Sequence, residues 1–334
     1  MATPNSSSWR VALLPAVLAI ACVGVSGCGG AQKRGSAPTP ATLLLDFQPN
    51  MVHSGTFLAV QRGYDRAAGV RLHVQIPSSS TDAVKLLRAG RARFAYLDIH
   101  DLAIADARGA GLVGVLALVQ RPLAAVLAQP GVARPRDLAG RRAGVTGLPS
   151  DLAVLRSIVQ GDGGDPAKVR TVTIGFQAVP ALLARRVDAA TGFWNAEGVA
   201  LARRRPGTRE FRVDDFGAPA YPELVLAATR DTVRRDPALV GATVRALRRG
   251  YAAAVAAPAE AVNALVRAAP GTDRATAVAE FAAVRPALVP PGGRFGTLRP
   301  ALLRRWAAWE ARFGIVRRAP DVGAMFDTRF ANAP

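Results

Sequence analysis

The sequence predicts an α/β fold made of two units, one inserted into the other. Three observations carry this. Short apolar runs alternate with helical patterns from Leu43 onward, as in a largely parallel sheet flanked by helices. The alternation restarts after a strand at Leu123 to Gln129, and Glu223 to Ala228 returns the chain to the first unit. At 334 residues, half of them hydrophobic, the chain is long enough for two domains and too apolar for global disorder.

The chain opens with a polar stretch carrying one positive charge, Arg10, followed by a mainly apolar run from Val11 to Val25 and then Ser26, Gly27 and Cys28. That is the layout of an export signal over residues 1–28, and its apolar run is short for a membrane span. Val25-Ser26-Gly27-Cys28 resembles a lipobox, in which small residues precede a cysteine that is lipidated and becomes the mature N-terminus. The plainer reading is a secretory signal in which Cys28 is incidental. Cys22 would leave with the signal, so Cys28 would be the sole remaining cysteine, excluding an internal disulfide and a cysteine-held metal. Residues 29–40, GGAQKRGSAPTP, have linker composition.

Leu43 to Leu45 form the first strand; Pro49 and Asn50 break it, and a helix follows with Phe57, Leu58 and Val60 inward. Arg71 to Pro77 alternates as a strand, and the SSSTD run supplies capping residues for a helix that ends at Gly90. Phe94 to Leu97 is a strand ending at Asp98 and His100. Then come a short helix from Leu102 and a strand from Val113 to Val119. In the second unit Gly140 turns the chain into a buried strand, Ala143 to Val145, and Ser150 can cap the next helix. Strands at Val169 to Ile174, Asp188 to Phe193 and Phe211 to Val213 complete it. The remainder from Asp231 is mostly amphipathic helix.

The formal charge is +19, or +18 once the signal is gone, Arg10 being the only charge in its first 27 residues. No basic run carries interleaved aromatics, so nucleic acid is not expected as a partner. Arginine greatly outnumbers lysine and alanine is abundant, which fits a GC-rich genome and a solvated basic background. His53, His73 and His100 are the only histidines, with no paired spacing for a metal, and there is no G-x-S-x-G elbow.

Polar side chains gather at strand ends, where ligands of open α/β sheets bind. Asp46, Asn50, His53 and Ser54 fall within ten residues; the plainer reading is that Asn50 and Ser54 make the turn and cap the helix. Trp194, Asn195 and Glu197 form a second group. The run LDFQPNMVHSGTFLAVQRGY resembles the L-D-W-x-P-N-x-x-H-x-G opening of the family joining bacterial thiamine-pyrimidine binding proteins to eukaryotic hydroxymethylpyrimidine phosphate synthases, with Phe47 in place of Trp. WNAEGV resembles the W-N-x-E-G-V segment of the bacterial binders.

The resemblance implies a type II periplasmic-binding-protein fold: two α/β lobes around a cleft, lobe one at 41–125 and 224–334, lobe two at 126–223, hinged at strands near 123–129 and 223–229. It implies an extracytoplasmic, lipid-anchored receptor that passes an aminopyrimidine to an ABC permease. The ligand contacts would be Asp46, Phe47, Asn50 and His53 from lobe one with Tyr96 and Asp98 nearby, Trp194 and Glu197 from lobe two, and Tyr221 near the return crossing. The synthases hold pyridoxal phosphate on a lysine whose place is taken here by Leu97, and no lysine lies between Lys85 and Lys168. A Schiff base needs an amine, so a binder without cofactor is expected. The same fold could instead serve a sulfonate, a nitrate-like anion or another heterocycle; an exported enzyme is the remaining alternative.

Overall fold

The computed structural model describes residues 37–46, 48–77, 80–289 and 293–333; Phe47, Cys28, the expected signal and most of the expected linker lie outside these. The chain lays down β1 (Thr39–Leu44), β2 (Val70–Gln75), β3 (Phe94–Asp98) and β4 (Leu112–Ala117) in a first sheet. It then builds β5 (Ala124–Ala128), β6 (Arg142–Val145), β7 (Arg170–Thr173), β8 (Ala189–Phe193) and β9 (Arg209–Arg212) in a second, and returns with β10 (Leu224–Thr229) to the first. The strand orders are β2-β1-β3-β10-β4 and β7-β6-β8-β5-β9.

Each sheet is mixed where the sequence suggested a largely parallel one. Three neighbouring strands run parallel, but β10 lies antiparallel between β3 and β4, and β5 antiparallel between β8 and β9. A strand that arrives from the other sheet enters head-on, so its direction is reversed. The strands read as crossings, 123–129 and 223–229, are therefore largely embedded in the sheets; the chain passes between sheets just before each one.

The first strand also starts earlier than its apolar run. Thr39 and Pro40, placed in the linker by composition, pair with Val70 and Arg71. Pro40 is tolerated because β3 joins β1 only at Leu43 and Leu44, so its missing N–H faces no ladder on that side.

Between the sheets the polypeptide is tied rather than loose. Glu223 is wholly buried, and its Oε2 accepts from the backbone N–H of Leu123 at 2.6 Å and of Ala124 at 3.0 Å, so the second crossing holds the first. Leu118 N–H donates to the Leu224 carbonyl at 2.8 Å beside it.

The C-terminal helices hold the loop after β1. The helix Pro237–Ala256 starts on proline, whose fixed φ suits a first turn, and buries Val240, Val244, Leu247 and Tyr251 along one stripe. It crosses the helix Ser54–Gln61 at glycines. A Cβ on Gly250 would overlap the Gly55 carbonyl oxygen and Ala59, and one on Gly55 would enter the Tyr251 ring. The close approach lets the Tyr251 hydroxyl donate to the Val52 carbonyl at 2.7 Å, which fixes the turn Met51–His53. Among the described residues no helix is long and apolar enough to cross a membrane.

Gly250→Ala should therefore force these helices apart and lower stability by about 1–3 kcal/mol, the range for an overpacked core. Urea unfolding of the two proteins measures it; an unchanged midpoint would show that the crossing is looser than described.

Candidate ligand site

A cavity of about 290 Å³ opens at the carboxyl ends of the parallel strands of both sheets. From the first sheet come Asp46 after β1, and Asp98 and Asp101 at the end of β3. From the second come Asp151 after β6, Phe176 after β7, and Thr191, Phe193 and Glu197 at the end of β8. Five carboxylates face this space, and no lysine, arginine or histidine among the described residues lines it.

Each acid is held by local structure. The Asn50 N–H donates to His53 Nδ1 at 3.2 Å, which places the histidine proton on Nε2 and directs it at Asp46 Oδ1, 2.6 Å away. Asp98 caps the helix Ile99–Ala107, accepting from His100 N–H at 2.7 Å, and Asp101 lies in that helix's first turn. Asp151 lies in the first turn of the helix Pro149–Gly161 and accepts from Thr146 N–H at 2.6 Å. Glu197 sits on a π-helical turn, Trp194–Gly198, and its Oε2 accepts from Phe193 N–H at 3.1 Å. The two helix N-termini aimed at the cavity are thus already occupied by the protein's own carboxylates, which complement the helix dipoles.

The negative charge is mutually felt. Burial pushes the Glu197 carboxyl above its ordinary range, and Asp151 and Asp46 push it further, a sign that acids from both sheets converge. Burial likewise raises Asp98 well above the usual carboxylate range, with Glu223 and Asp101 adding to it and His100 opposing.

Of the sequence-predicted contacts, Asp46, Asp98 and Glu197 line the cavity. The other described ones do not. Asn50 Oδ1 accepts from Val52 N–H at 3.0 Å, so this side chain caps the turn. His53 is fully buried behind Asp46. Tyr96 lies in the core with its hydroxyl 2.6 Å from Thr56 Oγ1. Trp194 is buried: its Nε1–H donates to the Pro122 carbonyl at 2.9 Å, and Arg212 covers its ring at 4.1 Å. Successive residues leaving a strand face opposite ways, so the wall receives Phe193 and the core receives Trp194. Tyr221 is buried against His100. Sequence reasoning missed Phe193, Phe176 and Asp151; an acid at the start of the helix after β6 was the available signal for the last, although Ser150, expected to cap that helix, lies inside its first turn and Leu148 is the capping position.

Behind Asp98 lies a buried ionic cluster. His100 Nδ1–H is bonded to Glu310 of the helix Pro300–Arg312, and Nε2–H donates to the Tyr221 hydroxyl at 3.2 Å, with Glu223 Oε1 at 3.7 Å. Burial opposes charge on the ring, but Glu310, Asp98 and Glu223 outweigh it and hold the imidazolium up to about pH 10. Asp98, His100 and Glu223 offer donor atoms within 4.8 Å of one another, as a metal site would. These residues belong to an ion network with Glu310 and the Tyr221 hydroxyl, in which Glu223 Oε1 has no hydrogen-bond partner among the described residues.

Two sheets of this strand order, crossed twice and enclosing a cleft at their strand ends, define a type II periplasmic-binding-protein fold. Solved structures agree. The periplasmic aliphatic sulphonate binding protein SsuA from Escherichia coli superposes with TM-score 0.69 at 14% identity, over 89% of this chain and 100% of that one. The periplasmic nitrate-binding protein NrtA from Synechocystis PCC 6803 does so with TM-score 0.69 at 11% identity, over 88% of each. Within that fold the chain belongs to the NMT1/THI5-like family, which matches residues 50–261. It is 29% identical over 227 residues to the formylaminopyrimidine-binding protein of Halalkalibacterium halodurans, covering 67% of this chain and 69% of that protein. It is 26% identical over 240 residues to a 4-amino-5-hydroxymethyl-2-methylpyrimidine phosphate synthase of Legionella pneumophila, covering 70% and 75%.

The His100 cluster makes stability pH-dependent with a definite sign. The folded state holds a proton that the unfolded chain releases near 6.5, so this contribution is complete below about 6.5 and is lost as pH rises towards about 10. Urea midpoints should fall across that window in the native protein, and the slope should flatten in His100→Gln. Parallel slopes would remove His100 as the cause.

Proposed function

We propose that the protein is the extracytoplasmic substrate-binding lipoprotein of an ABC importer, capturing a thiamine-precursor aminopyrimidine or a related small heterocycle between two lobes, 41–125 with 224–334 and 126–223. The observation that carries the ligand class is the cavity wall: carboxylates that accept from N–H groups, beside the phenyl faces of Phe176 and Phe193, suit a flat ring with exocyclic amines. Family membership and the formylaminopyrimidine-binding relative point to the same ligand class. Asp46, Asp98 and Glu197 would contact ligand directly, Phe47 would add an aromatic face, and Asn50 and His53 would act by fixing the loop and the Asp46 carboxylate.

An anion receptor of the same fold is disfavoured because both helix N-termini at the cavity carry aspartates and no basic side chain lines it. An enzyme holding pyridoxal phosphate is disfavoured because Leu97, at the place of the synthase lysine, is an aliphatic residue buried in β3. In the receptor reading, ligand touching both sheets stabilises a closed form recognised by the permease, and the segments before β5 and β10 bend. Lipid on Cys28 would hold the protein at the membrane, each buried methylene contributing about 0.8 kcal/mol.

Titration calorimetry with hydroxymethylpyrimidine and formylaminopyrimidine tests the ligand class. Glu197→Ala should weaken binding about ten- to hundredfold, the ~1.5–3 kcal/mol of a hydrogen bond to a charged group. Absence of heat with either pyrimidine would overturn the ligand assignment and leave the fold untouched. Separately, Cys28→Ala should leave the membrane fraction or retain its signal; processing and fractionation like the native protein would overturn the anchor.

A further inference from the structure

The cavity presents more acidic groups than an uncharged aminopyrimidine needs. Two carboxylates would satisfy an exocyclic amine and a second N–H, yet five face the space. Asp98, Asp151 and Glu197 make no ion pair with a lysine or arginine among the described residues; they accept from backbone N–H groups and the Thr146 hydroxyl, with His100 behind Asp98. Asp46 has His53 behind it. Glu223 and Glu310 pair with His100. Arg121 and Arg212 lie over the Trp194 ring and pair with Asp214 and Glu210. Glu280, on the helix Arg274–Leu288, lies close enough to Glu197 to feel its charge and is itself acidic. Among the described residues no lysine, arginine or histidine lines the cavity.

Resting on the aminopyrimidine reading above, the geometry points to a ligand held as its ring-protonated cation. A 4-aminopyrimidine is a weak base protonated on the ring nitrogen that lies across the ring from its amine. Protonated, it offers N–H donors on two edges, so carboxylates on different parts of the wall can each accept a charge-assisted hydrogen bond. The proton comes from solvent to the ring nitrogen lone pair as the ligand enters, and no other bond changes. Negative neighbours favour the charged form of a base, so the ring pKa rises on binding. By linkage, affinity then rises as pH falls, by about tenfold per unit between the free and bound ring pKa values.

The test uses the full chain with hydroxymethylpyrimidine labelled at its ring nitrogens. Nitrogen NMR at a pH where the free ligand is neutral should show the bound ring nitrogen at the position of the acid form. Calorimetry in buffers of different ionisation heat should show net proton uptake. In Glu197→Gln and Asp151→Asn, each a small change at the wall, at least one bound resonance should move back towards the neutral position. A bound ligand with a neutral-form resonance overturns the inference even if protons are taken up, because the proton then sits on a wall carboxylate. Affinity that is flat with pH overturns it too. Failure of any pyrimidine to bind is a different outcome, which removes the ligand assignment itself.

Discussion

A single buried carboxylate, Glu223, sets the geometry on which the cleft depends. It lies just before β10, at the end of the second passage between the sheets, and its Oε2 holds the two N–H groups at the end of the first passage. A buried carboxylate is costly unless its charge and lone pairs are answered. Here those N–H groups answer Oε2, while Oε1 has no hydrogen-bond partner among the described residues and only the charge of His100 near it at 3.7 Å; the other ring nitrogen of His100 is bound to Glu310 far along the chain. One polar cluster thus joins both passages, the end of β3 and the C-terminal helix Pro300–Arg312. Asp98 stands at its edge and is also part of the cavity wall, so the placement of a cavity-facing acid is tied to the groups that join the lobes.

The overall charge and the local charge have opposite signs. A chain with formal charge +19 builds a cleft lined by acids. Basic residues remain on solvated surfaces, where their self-energy is low, and the acids sit where backbone donors and helix N-termini support them. Net charge consequently says little about the ligand. At each helix N-terminus that faces this cleft, where the dipole would favour an anion, the occupant is an aspartate of the protein itself.

Packing on the far side keeps the wall in place. The Gly55–Gly250 crossing draws Tyr251 onto the Val52 carbonyl, the turn Met51–His53 is fixed, and His53 is thereby aimed at Asp46. Residues that resemble a ligand-contact motif in sequence, Asn50 and His53, are in this structure the means by which a neighbour's carboxylate is oriented.

Most of the fold was legible in the sequence because apolar alternation, turn residues and caps act over a few neighbours. The strands of both units, the return near Glu223 and the gathering of polar residues at the ends of β1, β3 and β8 all follow from such local patterns. Asp46, Asp98 and Glu197 could be singled out for the same reason. Strand direction in the sheets was decided only by the tertiary structure, since β5 and β10 are reversed by the lobe they come from. So was the exchange of Trp194 for Phe193 at the wall, which a half-turn of backbone determines, and the withdrawal of Tyr96 and Tyr221 into the core, where Thr56 and His100 supply partners distant in sequence. Local order is encoded between neighbours; which face of each side chain meets the cleft depends on contacts made across tens to hundreds of residues.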